Sequence, residues 1–167
     1  STVYNLSKAS IDTFSNKIVE DKLISSINTN LQEGPASYSI RDKKLFFTRS
    51  IDSMSSDKRY QLNIFQVSYP NSLSKATPIP LFKIVGNYSN IHPYFFLEKN
   101  ELYFSSDHPG GYGGFDIYKV YVNKNGIASK PENLGPNVNS KLDEVFPSVY
   151  NENIFFYSVK NKKGVLD

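Results

Sequence analysis

The chain has no cysteine and no tryptophan, and only one methionine and two histidines, in 167 residues. Without cysteine there is no disulfide framework and no thiolate metal site. His92 and His108 each abut a proline and neither has a partner at metal-ligand spacing, which points both to structural or exposed roles. Arginine occurs only at Arg41, Arg49 and Arg59, lysine is scattered, and the formal net charge is only +3, so there is no basic stripe for a nucleic acid. No apolar run approaches the roughly 18 residues of a membrane-spanning helix. A secretory leader and an initiator methionine are also lacking, so Ser1 reads as a mature or cut end.

What the chain does have is 12 tyrosines and 12 phenylalanines, with abundant Ser, Asn, Asp, Gly and Pro between them. Aromatic and β-branched residues favour strands, and the small polar residues with Gly and Pro favour turns. The expected class is all-β.

An internal repeat organises this composition. Three segments share one grammar: "EGPASYSIRDKKLFFTRS" (33–50), "NIHPYFFLEKNELYFSSD" (90–107) and "EVFPSVYNENIFFYSVK" (144–160). In each, a proline (Pro35, Pro93, Pro147) opens a strand, a polar turn follows, and a more aromatic strand returns, which is the pattern of a hairpin. A second anchor, a hydrophobic–aromatic pair opening a third strand, recurs at Val3 ("VYNL"), Ile64 ("NIFQV") and Ile117 ("DIYKV"). An Asn/Ser-rich stretch precedes each proline: "INTNLQEGP", "VGNYSNIHP" and "NVNSKLDEVFP". A unit of about 55 residues with four short strands suits one blade of a β-propeller, which must stack on neighbours to bury its faces. The expected architecture is antiparallel four-stranded blades, about two blade periods with three proline hairpins, cut from a larger propeller. Residues 1–34 would hold the third and fourth strands of a preceding blade, 35–92 and 93–146 one blade repeat each, and 147–167 a partial blade ending before its third strand.

The stretches "ELYFSSDHPGGYGGFDIYKV" (101–120) and "NGIASKPENLGPNVNSKLDEVFPSV" (125–149) resemble the TolB-like, WD-type propeller repeats of Bacteroidota envelope proteins. Within that group the nearest likeness is to OmpA-type proteins associated with PorP/SprF-like barrels of the type IX secretion and gliding machinery. The resemblance implies a non-enzymatic interaction scaffold in the periplasm, associated with the outer membrane. Its implied partners are an outer-membrane barrel or a secreted or adhesin component, with peptidoglycan reached only through a domain absent from this chain. No cofactor is implied. The alternative is a ligand-binding or hydrolytic propeller acting on cell-surface glycans or peptides.

Four of the nine glycines lie in "HPGGYGGFDIY" (108–118). A calcium β-roll repeat would need Asp116 one residue earlier and several stacked copies. A phosphate loop would open a helix, whereas "FDIYKVYV" reads as a strand. A glycosidase Asp-box would need glycine where Pro109 stands. The reading that remains is a tight inter-strand loop, formed by Asp107, Pro109, Gly110, Gly111, Gly113 and Gly114 and clasped by Asp116, whose carboxylate can accept loop N–H groups. Tyr112 and Phe115 become candidate exposed contacts for a partner, and the insert "SIDSMSSDKRYQ" (50–61) a further one. Asp143 and Glu144 are adjacent and point to opposite faces of a strand, which suits a solvated blade connection better than a catalytic pair.

Overall fold

A computed structural model describes residues 3–23, 27–54, 60–68, 78–83 and 86–160. Every regular element among them is a strand. Their order is β1 (Ser7–Asp12), β2 (Lys17–Leu23), β3 (Glu33–Ser39), β4 (Lys44–Met54), β5 (Tyr60–Ser68), β6 (Ile79–Pro80), β7 (Asn90–Phe96), β8 (Glu101–Ser106), β9 (Asp116–Tyr121), β10 (Glu132–Asn133), β11 (Asp143–Tyr150) and β12 (Ile154–Lys160). Two four-stranded antiparallel sheets, β3-β4-β5-β6 and β7-β8-β9-β10, lie between two hairpins, β1-β2 and β11-β12. These are two whole blades and two pairs of blade strands. The final "GVLD" (164–167) lies outside the described residues, as do 55–59 of the insert. The described flanks of that insert lengthen β4 and β5 into one arm, in which Met54 pairs with Tyr60.

Alternation along the strands explains the stacking. On β4, Phe46 turns to one face and Phe47 to the other, as successive strand residues must. Phe46 joins Ile64, Leu81, Phe95, Leu102, Phe104, Tyr118 and Val120 in a core shared by the two whole blades. Phe47 joins Phe65, Val67 and Ile27 in a second core, with Leu6 from the N-terminal hairpin side packed against it. On β8, Leu102 and Phe104 face the first core, while Tyr103 packs on Phe155 of the C-terminal hairpin, ring centroids 5.2 Å apart. A blade buried on both faces needs large apolar residues at consecutive positions, which is why "LFF" and "LYF" recur. Each fully buried phenylalanine stabilises the fold by about 1.5–3 kcal/mol. The terminal hairpins keep one face open, with Ile11 and Ile18 at one end and Ile154 and Phe156 at the other exposed.

Each proline sits within the first strand of its unit rather than at its start. The register slips between Glu33 and Ala36, between Ile91 and Tyr94, and between Val145 and Ser148. A proline cannot donate to a strand ladder, and a bulge is where that is tolerated. The residue before each proline has positive φ: Gly34 (117°), His92 (55°) and Phe146 (55°). The last two stack on one another across neighbouring blades, with centroids 3.8 Å apart. The first strands lie side by side, because Phe95 N donates to Ser37 Oγ (2.9 Å) and Tyr94 Oη donates to Val149 O (2.8 Å). Their turns are joined as well: Arg41 donates to the Asn100 side chain, and Lys99 lies 3.9 Å from Glu152.

The third-strand anchors Ile64 and Ile117 occupy equivalent places. Each carbonyl accepts from a leucine leading out of the fourth strand, Leu81 N (2.7 Å) and Leu134 N (3.1 Å). Val3 does not. It is exposed and precedes β1, and the equivalent residue is Leu6, for a reason that lies in the junctions between units.

Candidate interaction site

The glycine loop leaves β8 at Ser106 and enters β9 at Asp116. At its start, Asp107 Oδ1 accepts Ser89 N (2.5 Å), and Ser106 Oγ donates to Ser89 O (2.9 Å). At its end the Asp116 carboxylate, 1% exposed, is surrounded by donors. Its Oδ2 accepts Tyr112 N (2.6 Å) and Asn133 Nδ2 (3.0 Å), and its Oδ1 accepts Gly113 N (3.1 Å). Pro109 and Gly110 form the turn between these ends.

The glycines are there for closeness. A Cβ on Gly111 would sit 2.1 Å from Asp116 Oδ2. One on Gly113 would sit 2.2 Å from Leu142 O and 2.5 Å from Ser140 O, both backbone atoms that cannot swing away. The loop is pressed against the segment leading into β11. Gly114 N donates to Leu142 O (3.1 Å), Phe115 N to Asp143 Oδ1 (3.1 Å), and Glu144 N to Phe115 O (2.6 Å). The loop thus seats the next unit of the repeat.

That lead-in segment carries residues that sequence reasoning missed. Asn139 Oδ1 accepts Ile117 N (2.7 Å), and Asn139 Nδ2 donates to Ile117 O (3.0 Å) and Asn133 Oδ1 (2.8 Å). Five residues later Glu144, 0% exposed, accepts Ser140 N (3.1 Å) and Ser140 Oγ (2.5 Å). Glu144 is therefore not part of a solvated connection. A carboxylate can be buried when donors surround it, and here they come from its own turn.

The same module stands at the N-terminal junction. Asn28 Oδ1 accepts Leu6 N (2.9 Å), Asn28 Nδ2 donates to Leu6 O (2.8 Å), and Thr29 Oγ1 donates to Glu33 Oε1 (2.7 Å). Leu31 N donates to Thr29 Oγ1 as Leu142 N does to Ser140 Oγ. The amide lies 22 residues after the strand residue it clamps in both copies. This is why Leu6, and not Val3, is the equivalent of Ile117. A search for Asn-Ser/Thr-x-Leu-x-Glu at that offset would have found the module.

The middle junction solves the same problem with other residues. Asn90 Nδ2 donates to Asn63 Oδ1 (3.2 Å), Gln61 Nε2 to Tyr88 O (3.0 Å), and Leu62 N to Ser89 Oγ (3.2 Å). The N-terminal junction adds a buried ion pair, Arg49 Nε to Glu33 Oε1 at 3.1 Å. The Arg49 guanidinium also donates to Ile27 O and lies 5.1 Å from the centroids of both Phe47 and Phe65.

The two candidate contacts differ. Tyr112 is 48% exposed at the tip of the clasped loop. Phe115 is only half-buried, not open, because its N–H and C=O are both tied to the following unit. The structure brings Asp107, Pro109, the glycines and Asp116 into one loop around Tyr112. Of the histidines, His108 is exposed beside that loop and His92 is largely enclosed, with Nδ1 lacking a hydrogen-bond partner among the described residues. Burial pulls the His92 imidazole down to about 4.

Because the unfolded chain binds that proton near pH 6.5 and the folded chain does not, stability is full above about pH 6.5 and falls as the pH drops towards 4. Allowing for the solvent that still reaches the ring, the His92 share of the loss is about 1–2 kcal/mol. Urea midpoints of the chain and of His92→Asn at pH 7 and pH 4.5 measure it. An equal pH-dependent drop in both proteins would count against His92 as its source.

Stacked antiparallel sheets joined at bulged proline hairpins define the chain as β-propeller blades. No family model matches the chain, and no curated protein matches it significantly. Among solved structures it is similar to one assigned as TolB from Agrobacterium tumefaciens, with 15% identity, a TM-score of 0.50, and coverage of 88% of this chain and 51% of that one. TolB from Acinetobacter baumannii aligns at 14% identity with a TM-score of 0.48, over 98% of this chain and 40% of that one. The fold is TolB-like, and the chain spans about half the length of the first of these structures.

Proposed function

We propose that this chain is part of a non-enzymatic protein-interaction scaffold, a propeller segment of a periplasmic protein associated with the outer membrane. In this reading the units are 1–34, 35–92, 93–146 and 147–167. The partner is an outer-membrane barrel of the PorP/SprF-like kind or a secreted or adhesin component, within a type IX secretion or gliding assembly. The observation that carries the proposal is the presentation of Tyr112. Its backbone N–H is held by Asp116, its loop is wedged on the next unit, and its ring is left in solvent. A large aromatic side chain on a loop that is already ordered binds with little entropic cost.

The acidic groups around the loop support a structural rather than a chemical role. Asp116, Asp143 and Glu144 each accept hydrogen bonds from the backbone. Likeness to TolB structures fits a scaffold of this kind.

A photo-crosslinking amino acid at position 112 of the native protein tests the reading. Capture of an outer-membrane barrel is expected, and Tyr112→Ala should weaken the association by about 2 kcal/mol, the level of an interface hot spot. Recovery of this chain alone from native membranes would sink the proposal.

A further inference from the structure

A pocket of about 270 Å³ opens between the two whole blades, beside the start of the glycine loop. Its walls are rings. Phe82, following β6, lies 4.9 Å from Phe104 of β8, and Phe104 lies 6.0 Å from Tyr118 of β9 in a stacked arrangement. Tyr88, ahead of β7, closes another side with its ring edge-on to His108 at 4.6 Å. Two cations line the same pocket, Lys83 from one blade and Lys130 from the next. Among the described residues no aspartate or glutamate lines the pocket, and neither lysine has an ion-pair partner. Asp107, adjacent to His108 in the chain, is engaged with Ser89 N.

The combination selects a ligand chemistry. Ring-lined walls favour an apolar planar group, which packs face or edge against aromatics. Two exposed ammonium groups at the rim of the pocket, with no ion-pair partner among the described residues, favour an anionic group on the ligand that occupies it. A benzene ring fills a cavity of roughly 150 Å³, so the pocket has room for one ring and a short acidic tail. A phosphate would leave the rings uncovered, and a neutral sugar or a plain hydrocarbon would leave the lysines unanswered. We infer that this pocket binds an aromatic carboxylate, one ring carrying a carboxylate on a short linker. Two sources share that chemistry: a free aromatic acid, and a chain terminating in phenylalanine or tyrosine. The site is separate from Tyr112 and stands whether or not the scaffold reading holds.

The test titrates the 167-residue chain with 3-phenylpropionate, 3-phenylpropionamide and propionate, followed by calorimetry and by saturation-transfer NMR. The acid should bind at least about tenfold more tightly than either the amide or propionate, a difference of one charge contact or one ring. The Lys83→Ala/Lys130→Ala double variant changes only exposed side chains. It should lose that preference while keeping its circular dichroism and its weak binding of the amide. A hexapeptide ending in phenylalanine, with free or amidated terminus, separates the sources. Binding of the free-terminus peptide and not of the small acid assigns the site to a partner's C-terminus, and the reverse assigns it to a free acid. Equal binding of acid and amide, unchanged binding by the double variant, or no binding by any probe overturns the inference.

Discussion

Arg49→Met lowers the unfolding free energy by about 3–5 kcal/mol, the range for removing one partner of a buried ion pair. Glu33 and Arg49 are 1% and 8% exposed, so the carboxylate left behind cannot turn to water. Among the described residues only the Thr29 hydroxyl would still serve it, and its Oε2 already lacks a partner there. The substitution also removes a planar cation that lies over the stacked Phe47 and Phe65 rings. Burial pulls the guanidinium below its usual pKa, and the nearby Glu33 opposes that pull. The double change Glu33→Met/Arg49→Met should recover most of the loss, since two apolar side chains can replace a buried pair at little cost. Urea unfolding of the three proteins measures this. A single variant within 1 kcal/mol of the parent, on the order of an exposed pair, would show that the pair is not buried in solution.

Asp116→Ala should cost about 2–4 kcal/mol, because a hydrogen bond to a charged group contributes about 1.5–3 kcal/mol net, and the loop amides that lose this acceptor can turn partly to water. The effect should be local as well as global. Hydrogen exchange at Tyr112 and Gly113 should rise to the rate of an open loop, while exchange in β4 and β8 follows only the global stability. Asp116→Asn keeps one acceptor oxygen and should fall between the two. Gly113→Ala should open the loop from the other side, because its methyl meets the carbonyls of Ser140 and Leu142 and displaces the amide that Asp116 holds. If Asp116→Ala left exchange at both amides unchanged, the clasp would not be what orders the loop.

The proline hairpins could be read from the chain because they obey local rules. Pro35, Pro93 and Pro147 all fall in first strands, and "LFFT", "LYFS" and "IFFY" all fall in second strands. Ile64 and Ile117 could be found because a buried strand needs an apolar residue there. The Val3 anchor misled because "VY" imitates the local pattern, whereas the true position is set by Asn28, 22 residues away. Glu144 misled for a related reason. Charge predicts exposure unless donors are in place, and here they come from the Ser140 turn, whose residue pattern stands out only when 139–144 is set beside 28–33. The aromatic pocket was invisible, since its lining comes from segments scattered between residues 82 and 131. Propeller architecture could be read from the repeat, and its TolB-like kind from the resemblance carried by residues 101–120 and 125–149, while the junctions depend on pairings between distant residues.

The residue before each proline has a consequence for how such a chain can change over time. Gly34, His92 and Phe146 all have positive φ although three different residue types stand there. Histidine visits that region more readily than most residues, and a bulky phenylalanine only rarely. The bulge therefore imposes the conformation, and the side chain is free to be recruited for something else, as His92 and Phe146 are for their mutual stack. Inheritance in this repeat is then carried by the path of the main chain more than by letters at fixed columns. Two copies can differ in residue type at such a site and still keep the bulge and the positive φ that it requires.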